Sequence, residues 1–94
     1  MIETNNNYAG ANFSYDNEKD TCLATGDYKT MNGQLTVVNV NGQYKKGDGI
    51  YNFNATRDAE GNINITGVPA SVLSPVASEV TKIMAAVEAL VNPQ

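Results

Sequence analysis

Three carboxylates at alternate positions, Asp16, Glu18 and Asp20, are the densest set of potential ligands or acid–base groups in this sequence. Such spacing suits calcium coordination or an acidic mimic of a phosphate backbone. Neither pattern is complete, because no glycine-centred loop and closing glutamate follow at EF-hand spacing. The simpler reading is a solvated turn between two strands. Cys22 is the sole cysteine, and the chain has no histidine and no tryptophan. Ser-His-Asp and Cys-His arrangements are therefore impossible, as is a Cys/His zinc site. With no histidine to activate it, Cys22 reads as a small buried hydrophobe in a strand with Leu23 and Ala24. The run Lys45-Lys46-Gly47-Asp48-Gly49 has glycines like those of a phosphate loop. It lacks the Gly-Lys-Ser/Thr ending and leads into no helix, so it reads as a turn or bulge. Asp27 with Lys29, and Asp48 with Lys46, are exposed pairs of little energetic weight. No catalytic, metal-ligating or cofactor-binding residue is assigned, and the chain is read as a non-enzyme.

Binding chemistry is better represented than catalysis. Five tyrosines and thirteen asparagines stand in a chain of 94 residues. Aromatic rings and amides suit sugars and peptide backbones. A ligand face built from Tyr28, Tyr44, Asn52 and Asn54 would serve a small-ligand or carbohydrate-binding module. The blander expectation is that polar residues simply fill the wet side of a two-sided sheet.

The charge limits the partners. Ten acids against six bases give a formal net charge of −4. Nucleic-acid binding needs a basic face, and here the bases are scattered except for Lys45-Lys46. Nucleic acid is therefore not expected as a partner, and neither is an anionic membrane surface. Residues 1–15 have no basic and apolar signal pattern, and nothing approaches the ~18 apolar residues of a transmembrane span. One free cysteine suits a reducing compartment, so a cytoplasmic location is expected.

The elements that would hold these residues follow from length and pattern. A chain of 94 residues supports one domain and one modest core, burying roughly 60–65% of its unfolded surface. Residues 1–11 are polar, asparagine-rich and expected to be loose. Residues 12–67 read as a β-meander. Asn32-Gly33 is a type I′ hairpin signal between strands at 25–31 and 34–40. Asn41-Gly42 gives the same signal and predicts a second turn before 43–46. Asp58-Ala59-Glu60-Gly61 predicts a type I turn closed by a glycine bulge, joining 50–57 to 62–66. In that register Ala55 faces Ile65, with Tyr51, Phe53, Ala55 and Ile65 on one face and Asn52, Asn54 and Asn64 on the other.

Two segments echo each other sixteen residues apart. Gly26-x-Tyr28-Lys29-x-x-Asn32-Gly33-x-Leu35-x-Val37 matches Gly42-x-Tyr44-Lys45-x-x-Asp48-Gly49-x-Tyr51-x-Phe53 in residue type. One hairpin design used twice, or convergence on common turn chemistry, would explain the match. The stretch 42–53 loosely resembles a single membrane-occupation (MORN) hairpin repeat, and no functional residue is carried over from it. Lys45-Lys46 is placed to blunt a sheet edge.

After Gly67 the pattern changes. Ser74 is a candidate cap and Pro75 a candidate first helical residue. Val76, Val80, Ile83, Val87 and Leu90 then recur at helical spacing, with Met84 and Val91 beside them, until Asn92-Pro93. The other side of this 75–91 helix carries Ala77, Thr81, Ala85 and Ala89, small residues that let a second backbone approach. The expected fold is α+β: an antiparallel meander of about five strands with one C-terminal helix on its apolar face. The expected function is a non-catalytic protein-interaction or assembly module, self-associating, of a bacterial or phage-like type. The ligand-binding module is the alternative.

Overall fold

The computed structural model describes residues 2–5 and 10–91. Six strands, β1 (Ile2–Asn5), β2 (Gly10–Asp16), β3 (Cys22–Met31), β4 (Gln34–Lys46), β5 (Gly49–Arg57) and β6 (Ile63–Thr66), precede one helix, α1 (Ala70–Val91). Each strand pairs antiparallel with the one before it, and the sheet order follows the chain order. This is the expected α+β meander with one strand more than anticipated. The extra strand comes from the polar N-terminal stretch, where Ile2–Asn5 pairs with Asn12–Tyr15 instead of lying loose. Residues 6–9 and 92–94, including Tyr8 and the helix stop expected at Asn92-Pro93, lie outside the described residues.

Two hairpins follow the sequence closely. Asn32 and Gly33 have φ of 54° and 78°, as a type I′ turn requires, and Met31 pairs with Gln34. At the third hairpin the Asp58 carboxylate accepts hydrogen bonds from the Glu60 and Asn62 amides at 2.9 and 3.0 Å. Gly61 closes it at φ 93°, and Ala55 faces Ile65. These amide donors hold the Asp58 carboxyl below the usual carboxylate range, the Asn62 backbone amide first among them.

Asn41-Gly42 departs from its local signal. It lies inside β4, paired on both sides, with Gly42 opposite Ala24 and Phe53. Here glycine makes room for an aromatic ring. A Cβ at position 42 would collide with the Phe53 ring, with Cε2 at 2.6 Å. The next turn falls instead at residues 47–48, where Gly47 has φ 60°. The sixteen-residue echo is therefore not a structural repeat: Tyr28 pairs with Val38, but Tyr44 pairs with Tyr51. A register shift at Lys29/Thr30 further separates the two hairpins. Lys45 and Lys46 end an interior strand, so they blunt no edge; the edges are β1 and β6.

The core lies between α1 and one sheet face. Val38, Val40, Val72, Val76, Val80, Ile83 and Val87 are each under 2% exposed. The helix packs mainly on β3 and β4. It begins at Ala70, not Pro75, because Val72 continues the apolar stripe one turn upstream and is 1% exposed. Pro75 sits within the helix, where its missing N–H would have reached the carbonyl of Ser71, an exposed residue open to water. At the far end Val91 packs on the core, four residues after Val87, while Leu90 is 42% exposed. The 22-residue helix is long and apolar enough to cross a membrane by length and composition, contrary to expectation, although its inner side is core.

Candidate functional site

Alternation in the strands decides which side chains can meet. Even-numbered residues of β3 from Cys22 to Tyr28 share a face with Val38, Val40, Gly42 and Tyr44 of β4, the face that α1 covers. Tyr28 is therefore buried beside Phe13, with ring centroids 6.4 Å apart. Tyr44 is half-buried against the same core. Asn52 and Asn54 are exposed, one residue out of phase, on the opposite face. The four residues expected to form one ligand face are thus divided between the two sides of the sheet.

The outer face of the sheet is polar. Two rows cross the strands there. Ser14, Thr25, Asn41, Asn54 and Thr66 form one, and Asp16, Leu23, Gln43 and Asn52 form the other. The Asn54 amide donates to Asn41 Oδ1 at 2.8 Å and to the Val40 carbonyl at 3.1 Å. Between the rows and the β2–β3 turn lies an open groove of about 1180 Å³. The turn supplies its wall, with Glu18 and Asp20 beside Asp16. The carboxyl of Asp16 sits above the usual range, first through desolvation and then through the charge and hydrogen bond of Asp20. This agrees with a turn reading of the acidic cluster, with Asp20 in the left-handed region at φ 56°. Among the described residues no group of three or more His, Cys, Asp or Glu side chains is placed to hold a metal ion.

The same turn is fastened from its inner side by a residue not singled out in the sequence. Glu79 is 6% exposed although it carries a charge. Its carboxylate accepts the Asn17 amide at 2.8 Å and the Tyr15 hydroxyl at 3.4 Å, and Lys82 Nζ lies 3.4 Å away. Asn17 in turn donates to Thr21 Oγ1 at 2.6 Å and accepts the Thr21 amide at 2.9 Å. The sequence signal was an acid three residues after Val76 and four before Ile83, on the apolar stripe. Burial, then Glu79, pushes the Tyr15 hydroxyl up to about 12. The Cys22 thiol is pushed up to about 11, mainly by burial and then by Glu79, which keeps it in the neutral thiol form at neutral pH.

Glu79→Ala should cost about 1–3 kcal/mol, since Asn17 and Tyr15 both lose a buried acceptor. Glu79→Gln keeps one acceptor oxygen and should cost less. Urea unfolding measures both, and equal stability of all three proteins would show that Glu79 does not fasten the turn.

The outer side of α1 holds the residues singled out for contact. Thr81, Ala85 and Ala89 are exposed and Ala77 is half-buried. The Thr81 hydroxyl is already committed to the Ala77 carbonyl at 2.8 Å. Lys82 turns toward Glu79, and Glu88 lies 3.8 Å from Arg57. No protein-family model, curated protein or solved structure matches this chain.

Proposed function

We propose that the chain is a non-catalytic assembly module that pairs with a second copy of itself along the outer side of α1. The observation that supports this is an exposed helix side with little charge of its own. Ala77, Thr81, Ala85 and Ala89 run along it, and Leu73, one turn before Ala77, is 42% exposed. Its two charged neighbours, Lys82 and Glu88, have partners within the same chain. Thr81 spends its hydroxyl on its own helix.

A two-fold axis between residues 81 and 85 makes this stripe self-complementary. Two antiparallel helices then set Ala77 against Ala89 and Thr81 against Ala85, and Ser78 faces Glu88. Small residues at the Ala77–Ala89 and Thr81–Ala85 contacts allow an interaxial distance near the short end of about 8–10 Å. One helix pair buries less than the roughly 800 Å² per partner of a standard interface, so a dimer of about micromolar affinity is expected.

Light scattering on a sizing column tests this at two concentrations. The native chain should rise from 10.0 kDa toward twice that mass, and Ala85→Arg should hold it at the monomer. Ala85 is solvent-exposed, so the variant keeps its fold, which circular dichroism verifies. A native monomer at every concentration, or a dimer indifferent to Ala85→Arg, would refute the pairing.

A further inference from the structure

The geometry points to a second, separate site: the groove on the outer sheet face is a binding site for a linear oligosaccharide, neutral or amine-bearing, lying across the strands. This goes beyond the assembly reading and uses no residue of α1.

The floor carries the inference. Ser14, Thr25, Asn41, Gln43 and Asn52 come from four adjacent strands and all line the groove of about 1180 Å³. Hydroxyls and primary amides both donate and accept, which is what a polyhydroxylated ligand needs from a protein surface. Cross-strand pairing sets these side chains in two rows, stepping about 4.8 Å from strand to strand. A pyranose unit is about as long as that step, so successive sugars meet successive strands. Leu23, 38% exposed between Asp16 and Gln43 in one row, offers an apolar contact for a ring face.

The wall selects against the wrong charge. Asp16, Glu18 and Asp20 line the groove and no lysine or arginine does, the nearest basic side chain on this face being Lys45, which acts on Asp16 from beyond the lining. Phosphorylated, sulfated and uronic ligands are therefore repelled, whereas the same carboxylates accept hydrogen bonds from hydroxyl or ammonium groups. An aliphatic ligand would leave the amides of the floor unpaired.

The test is an NMR titration of the full chain, labelled with ¹⁵N, with three trimers: glucosamine, N-acetylglucosamine and galacturonate. The side-chain amide signals of Asn41, Gln43 and Asn52 should shift with the first two at about 1 mM, and not with the third. Gln43→Ala and Asn52→Ala remove exposed groups and should each weaken binding roughly tenfold or more. Ala85→Arg should leave it unchanged. The inference is overturned if none of the trimers shifts these signals, if galacturonate binds as well as the others, or if the shifts map to α1.

Discussion

Gly26→Ala should be the most damaging single-methyl change in this protein, costing more than about 3 kcal/mol. Gly26 lies where three strands meet, opposite Phe13 on β2 and Val40 on β4. A Cβ there would collide with the carbonyl oxygen of Asn39, a backbone atom, and would sit 2.8 Å from Phe13 Cζ. A side chain can rotate away; a laddered carbonyl cannot move without breaking its strand pairing. A domain of this size has only about 5–14 kcal/mol to lose. Two other glycines calibrate the claim. Gly42→Ala meets the Phe53 ring and the Ala24 methyl at 3.0 Å, and should cost about 1–3 kcal/mol. Gly33→Ala meets nothing within 4 Å, so only its φ of +78° resists, at about 1 kcal/mol. Urea midpoints rank the three. A Gly26→Ala protein as stable as Gly33→Ala would show that the strands are not packed as described.

Alkaline pH should be the second large perturbation. Cys22 is fully buried, and its thiol is raised from 9.0 to about 11, chiefly by desolvation. Tyr15 is raised from 10.0 to about 12, by burial and then by the Glu79 carboxylate. Both folded values lie above the unfolded ones. The unfolded chain therefore releases protons first, and stability present below pH 9 falls as pH rises through 9–11 for Cys22 and 10–12 for Tyr15. At roughly 1.36 kcal/mol per pH unit, the Cys22 loss amounts to about 2–3 kcal/mol. Tyr15 is partly exposed, so its share is smaller. Unfolding free energies at pH 8 and pH 11 measure the sum, and Cys22→Ala should flatten the first part of the slope. An unchanged free energy between those pH values would contradict the burial of the thiol.

What could be read from the sequence was whatever local chemistry alone decides. Asn32-Gly33 needs two residues that accept positive φ, and Asp58 with Gly61 needs a carboxylate acceptor and a left-handed glycine. Both turns formed where the residues stood. The helix stripe was legible from Val76 onward for the same reason. Failures arose where a distant partner overrides the local signal. Asn41-Gly42 has turn chemistry, but the Phe53 ring from β5 occupies the space that glycine leaves. Pro75 marks a helix start locally, yet burial of Val72 against the sheet draws the helix one turn further back. The ligand face was misassembled because Tyr28 and Asn52 lie on strands whose phase is set by pairing across β4, and one residue of phase changes the side. Glu79 was legible in principle, as an acid on an apolar stripe; its partners Asn17 and Tyr15 lie 62 and 64 residues away.

The sequential strand order has a consequence for how the fold is made. No strand waits for a distant partner, since each can zip onto its predecessor through a short loop, which favours rapid hairpin-by-hairpin formation. The cover of the apolar face obeys a different clock. Val38, Val40, Phe53 and Ala55 all precede residues 70–91 in the chain, so synthesis delivers them first. On the ribosome the growing sheet therefore passes through an interval with a wet apolar side and two open edges, the kind of surface on which nascent chains aggregate. Docking of α1 ends that interval, and the Asn17–Glu79 bond fixes the middle of the helix to the β2–β3 hairpin.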